Sequence, residues 1–139
     1  MNEVRLSVVL PLDQAAAFDL FTNRMSDWWP PDRKYTGPEA TLHMEPSGRF
    51  WERGTDGAEV ECGRVLDWSP PNRLVMDFYK GTDPDHPTRV TVSFVAESEG
   101  TRVAILHVPT AASLDLWESR APLYVASWEL CFTSLVAVA

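Results

Sequence analysis

From residue 40 onward, apolar residues recur at every second position through six successive stretches. These are ATLHMEP (40–46), GRFWERG (48–54), EVECGRVLDWS (59–69), RLVMDFYK (73–80), RVTVSFVAE (89–97) and TRVAILHV (101–108). A period of two sends alternate side chains to opposite faces of an extended chain, so each stretch predicts a half-buried β-strand. The breaks between them, PSG, TDG, SPPN, DPDHP and ESEG, are short and rich in turn formers. Connections this short make hairpins, and strands joined in series by hairpins make an antiparallel meander.

The two ends of the chain read differently. VRLSVVL (4–10) predicts one more strand, ended by Pro11. Asp13 can N-cap a helix over residues 14–21, where Ala17, Phe18 and Phe21 share a face. A second short helical turn is expected over 22–28, stopping at Pro30 and Pro31, which send the chain out to the sheet. Residues 112–119 predict a short helix. Pro122 suits the first turn of a long C-terminal one. In that long helix Tyr124, Trp128, Cys131, Leu135 and Val138 recur at steps of four and three, and Val125, Phe132 and Val136 widen the stripe.

A twisted antiparallel sheet with one apolar face must be covered, and the C-terminal helix is the longest cover the sequence predicts. The expected fold class is α+β: a curved antiparallel sheet wrapped around a long C-terminal helix, with two short helices after the first strand. A length of 139 residues suits one domain, taken as 1–139. Such a domain buries enough surface to fold without a metal or a disulfide.

Charge narrows the function. Lys and Arg total 12 against 20 Asp and Glu, a formal net charge of −8. That field repels nucleic acid and anionic membranes, so neither is an expected partner. Cys62 and Cys131 form no CxxC pair and read as buried thiols in a reducing cytosol. With no signal-peptide pattern and no run of 18 apolar residues, a cytoplasmic protein is expected. His43, His86 and His107 lie in separate segments without metal-ligand spacing. No GxSxG motif or glycine-rich phosphate loop occurs. No metal, no cofactor and no catalytic residue is therefore assigned.

Several residues nonetheless resemble a known pattern. VVLPLDQAAAFDLFT followed by WWP, then MEPSGRFWERGTDGAEVECGRVLDWSPPNRLVMDFY, then TRVTVSFVAESEGTRVAILHV, and finally Trp128 on the last helix, resemble the START-like superfamily. The likeness is to its branch named after the activator of heat shock protein 90 ATPase. The resemblance implies a helix-grip fold and, in many relatives, a central cavity between sheet and helix. It fixes no ligand: the superfamily includes lipid and hormone binders, cyclases and chaperone-interaction domains. Ser47 stands where the family often carries glycine, which raises a question about the backbone there.

Candidate site residues follow from which face each one occupies. His107 shares a strand face with Val103 and Ile105, so its ring is expected to point toward the helix. Phe50 carries Glu52 inward with it; a carboxylate withdrawn from water needs a partner, for which His107 or an arginine is available. Met76, Phe78 and Phe94 from the strands and Tyr124, Trp128 and Phe132 from the helix make either a filled core or a cavity wall. Trp28 and Trp29 stand at the corner before the prolines, one expected inward and the other partly exposed, plugging the interior or lining its mouth.

The leading expectation is binding of a small apolar or amphipathic molecule between sheet and helix, with His107 and Glu52 orienting a polar group. A chaperone-cofactor-like protein-interaction domain acting through its acidic surface is the alternative, and a cyclase- or hydrolase-like enzyme the third reading. Homodimerisation is compatible with the sequence but no signal specifies it.

Overall fold

The computed structural model describes residues 2–139. Seven strands form: β1 (Val4–Leu10), β2 (Thr41–Met44), β3 (Arg49–Arg53), β4 (Glu59–Ser69), β5 (Arg73–Phe78), β6 (Thr88–Glu97) and β7 (Gly100–Pro109). They make one sheet in the order β1-β7-β6-β5-β4-β3-β2, antiparallel at every step, curled into a half-barrel. The meander predicted from residue 40 is thus β2 to β7, and β1 joins its far end beside β7. Alternation holds where it matters: Leu74, Met76 and Phe78 on β5, Val90, Val92 and Phe94 on β6, and Val103, Ile105 and His107 on β7 are all buried. Ser47 needs no special backbone, since no described residue other than glycine has a positive φ.

Helix α1 (Gln14–Thr22) begins as its sequence predicts, with the Asp13 carboxylate accepting the amide of Ala16 at 2.8 Å. Its buried face packs over β6 and β7, where the Phe18 and Phe21 rings lie 5.0 and 5.8 Å from that of Phe94. This closes one end of the interior. The following segment departs from expectation. Instead of one turn over 22–28 there are two 3-10 turns, Met25–Asp27 and Pro31–Arg33. Pro30 caps the second turn and Pro31 starts it, because a fixed φ suits a first helical position. The first turn thus ends at Asp27, and the prolines begin the second before the chain reaches the sheet.

Helix α2 (Leu114–Val138) is a single rod of 25 residues, entered through a 3-10 turn at Ala111–Ser113 that Thr110 and Ser113 cap reciprocally. Pro122 lies inside it, not at its start, and residues 112–119 are not a separate helix. The reason is position. Pro122 and Glu118 are both exposed, so the carbonyl that loses its helical donor faces water. The buried face comprises Trp117, Ala121, Tyr124, Trp128, Cys131, Phe132 and Leu135. Val136 and Val138, expected in the stripe, are exposed. By length and composition alone the stretch 111–138 resembles a membrane-crossing helix. In this fold its apolar face is the inner cover of the sheet, a role that selects the same composition. Cys62 and Cys131 are both free and buried.

Candidate functional site

Beyond the end of β5 the chain carries Tyr79, Lys80 and Gly81 toward α2 while the 3-10 turn at Pro31–Arg33 arrives from the other side. Between these pieces lies a cavity of about 460 Å3. Its apolar wall is Trp29, Phe78, Tyr124, Trp128 and Cys131; Asp32, Arg33, Lys34, Tyr35, Lys80, Gly81, Arg120, Leu123, Ala126 and Ser127 complete the lining. Tyr35 and Leu123 are more than half exposed, so the space opens to solvent between the 31–35 segment and the helix. That volume lies in the range that accommodates small organic ligands.

The two tryptophans of the DWWPP corner divide the roles between them. Trp28 is a plug: it is 1% exposed, its indole N–H donates to the Leu20 carbonyl at 2.8 Å, and its ring lies 5.0 Å from Phe21. Trp29 is a cavity wall, with its N–H on the Arg33 carbonyl at 3.3 Å and its ring 5.9 Å from Trp128, edge to face. Neither is partly exposed as expected; Trp29 is 5% exposed because the Pro31–Arg33 turn folds over it.

His107 lies behind this wall. Trp128 Nε1–H donates to its Nδ1 at 3.0 Å, which makes Nδ1 the acceptor and leaves the ring proton on Nε2. That proton then serves Thr88 Oγ1 at 2.7 Å, and the Thr88 hydroxyl passes its own to the Phe78 carbonyl at 2.6 Å. Burial pushes the imidazole pKa down to about 3, so the ring is neutral at ordinary pH. Both nitrogens are engaged, so His107 positions Trp128 and Phe78 and does not itself line the cavity.

Glu52 is fully buried, as its phase with Phe50 predicts, but its partner is Lys80, not His107 or an arginine. Lys80 Nζ lies 3.2 Å from Oε1, while Oε2 accepts the Thr36 amide at 2.6 Å and the Thr36 hydroxyl at 2.7 Å. Burial alone would raise the carboxyl pKa; the Thr36 bonds, with the Lys80 charge and the Tyr35 amide, outweigh it and hold Glu52 below its ordinary value. Lys80 is the link between this pair and the cavity. Its ammonium sits 3.9 Å over the Tyr35 ring and 5.7 Å from that of Trp29.

Hydrogen bonds then tie the rim together around residue 81. The Tyr35 hydroxyl accepts the Gly81 amide at 2.7 Å, Arg120 Nε donates to the Gly81 carbonyl at 2.7 Å, and the Tyr124 hydroxyl donates to the Lys80 carbonyl at 2.7 Å. Gly81 has φ +84°, and a Cβ there would stand 3.0 Å from the Tyr124 oxygen; only glycine meets both demands.

Of the expected site residues, the fold brings Trp29, Phe78, Tyr124 and Trp128 to the cavity. Phe50 and Phe132 support them from behind, with Phe50 6.2 Å from both Trp29 and Phe78 and Phe132 6.5 Å from Trp128. Trp28, Met76 and Phe94 belong to the filled core. Sequence reasoning missed Lys80, although the alternation Leu74, Met76, Phe78 places it on the same face. It also missed Arg33, Lys34, Tyr35 and Arg120, the first three of which lie at or just after a short 3-10 turn with no period to read.

A half-barrel that grips a long helix and leaves a lined cavity beside it defines a helix-grip domain. Residues 12–139 match the model of the Activator of Hsp90 ATPase homolog 1-like proteins, and the chain belongs to that family. Among solved structures it is similar to protein NE0264 from Nitrosomonas europaea (TM-score 0.67, 14% identity, covering 98% of this chain and 92% of that one). It is similar to protein CV1439 from Chromobacterium violaceum (TM-score 0.66, 17% identity, covering 100% and 98%). At these identities the likeness is one of fold. An anthrahydroquino-gamma-pyrone synthase, Txn09, aligns at 36% identity (TM-score 0.56, covering 78% of this chain and 77% of that one). Comparison with curated protein sequences gives no match.

Proposed function

We propose that the protein binds a small aromatic or amphipathic molecule in the cavity between the β5 end and α2. The observation that carries this is the cavity itself: about 460 Å3, walled by Trp29, Phe78, Tyr124 and Trp128 and open at Tyr35 and Leu123. A wall of flat rings favours a flat guest through offset and edge-on contacts. Burial of the guest's apolar area, about 25 cal/mol per Å2 before ordering losses, would supply the driving force. Polar groups on the lining would set its orientation. Calorimetric titration against a panel of polycyclic aromatics and fatty acids tests the reading. Saturable one-site binding by an aromatic member is expected; absence of heat across the panel overturns it.

A second reading is catalytic: promotion of ring closure in an aromatic polyketone-type substrate. The 36% identity to the anthrahydroquino-gamma-pyrone synthase favours it. Binding without turnover is preferred because the two weak acids on the buried side of the wall hold their protons. The Tyr124 hydroxyl donates to a backbone carbonyl and burial pushes it up to about 12; burial pushes the Cys131 thiol up to about 12 as well. Appearance of a cyclised product from a linear aromatic polyketone would decide for the second reading.

A further inference from the structure

The chain is acidic, yet its cavity is not. Four of the twelve Lys and Arg residues line it, against one of the twenty Asp and Glu residues. Glu52, just behind the wall, balances Lys80. Asp32 extends into solvent, its side chain 71% exposed and 3.4 Å from Arg33. What remains is an excess of positive charge at the mouth from Arg33, Lys34 and Arg120.

Each of these cations is held in place without being neutralised by a buried carboxylate. Arg33 Nε donates to Ser127 Oγ on α2 at 3.1 Å. Arg120 Nε donates to the Gly81 carbonyl at 2.7 Å, which leaves its terminal NH2 groups without a partner among the described residues. Among the described residues Lys34 Nζ reaches only the Pro38 carbonyl, at 3.4 Å. Partial burial and the neighbouring Lys80 charge lower the Lys34 pKa against the pull of Glu52, as expected of an ammonium short of counter-charge. Preplaced guanidinium groups beside a low-dielectric aromatic wall suit a delocalised anion carried on a ring.

We propose that the cavity selects planar aromatic anions, aromatic carboxylates and phenolates, over their neutral counterparts, with the ring against the wall that Trp29 and Trp128 share and the negative group at Arg33 and Arg120. This rests on the proposed binding function and names its ligand class. An exposed cation contributes little, but one fixed at the rim of a dry wall acts at lower effective dielectric.

The test pairs anthraquinone-2-carboxylate with anthraquinone-2-carboxamide, near-isosteric probes differing in charge, titrated calorimetrically into the full chain at pH 7.5. The carboxylate is expected to bind at least tenfold more tightly, and to weaken as salt rises. In Arg120→Gln and in Arg33→Gln that preference, read as the ratio of the two affinities, should fall several-fold, with thermal melts reporting that each variant is folded. Equal binding of the two probes, or a preference that survives both substitutions, overturns the anion assignment and leaves the binding function standing. Failure of both probes to bind overturns the two together.

Discussion

The indole N–H of Trp128 donates to Nδ1 of His107 across 3.0 Å, joining the middle of α2 to β7 inside the apolar core. One bond thereby sets the imidazole tautomer, the rotation of a cavity-wall tryptophan and the height of the helix above the sheet. His107→Ala would strand the buried indole donor and open a void. A loss of roughly 3 kcal/mol in unfolding free energy is expected, read by urea denaturation. Thr88→Val, which removes the acceptor for the Nε2 proton and the donor to the Phe78 carbonyl, should cost about 1–3 kcal/mol.

The same histidine gives the fold a pH dependence with a definite sign. Its pKa is about 3 when folded and near 6.5 when unfolded, so between these values the unfolded chain binds the extra proton. Stability is therefore expected to fall as pH drops below about 6.5, by up to about 1.4 kcal/mol per unit from this group. Carboxyls with lowered pKa, Glu52 among them, act with the same sign but only below about 4.5. The interval from 6.5 to 4.5 isolates the histidines. His43, also lowered but only half-buried, should matter little. Melting temperature against pH should lose most of its slope there in His107→Gln and keep it in His43→Gln.

Lys80 and Glu52 form a buried pair whose members are unequal to remove. Lys80→Met leaves a carboxylate at zero exposure with only Thr36 and the Tyr35 amide to hold it, and a loss of about 3–5 kcal/mol is expected. Adding Glu52→Gln should restore a substantial part of that loss. Denaturant midpoints of the two single variants and the double variant check this coupling.

Much of this fold was legible because burial writes a period into a chain. The strands β2 to β7 and the inward phase of Phe50, Glu52 and His107 all follow from alternation, and the Tyr124–Leu135 stripe follows from helical spacing. The misreadings have physical causes. Pro122 looked like a helix start because a proline disrupts a helix by removing a donor, and the sequence does not say that the orphaned carbonyl faces water. Lys80 was passed over as a Glu52 partner because the pair joins β3 to the end of β5 across the intervening β4. The cationic rim was least legible. Arg33 and Lys34 sit in a turn after two prolines, where no repeat links side chain to face.

Ala126 offers a way to close the cavity without touching the core, since it lines the space but lies on the exposed side of α2. Ala126→Phe should abolish or weaken ligand binding at least tenfold. Unfolding free energy should stay within about 0.5 kcal/mol of the parent, as for surface substitutions. Paired calorimetry and denaturation read the two effects separately.

The indole N–H resonances test the central claim most directly, since the six tryptophans sample both sides of the molecule. In a two-dimensional 15N NMR titration with alizarin, the signals of Trp29 and Trp128 should shift saturably and together. Those of Trp51 on β3, stacked on His43, and Trp68 on β4, beside Phe18, should stay fixed. Unmoved Trp29 and Trp128 signals at saturating probe, or shifts led by Trp51 and Trp68, would contradict a ligand seated between β5 and the long helix.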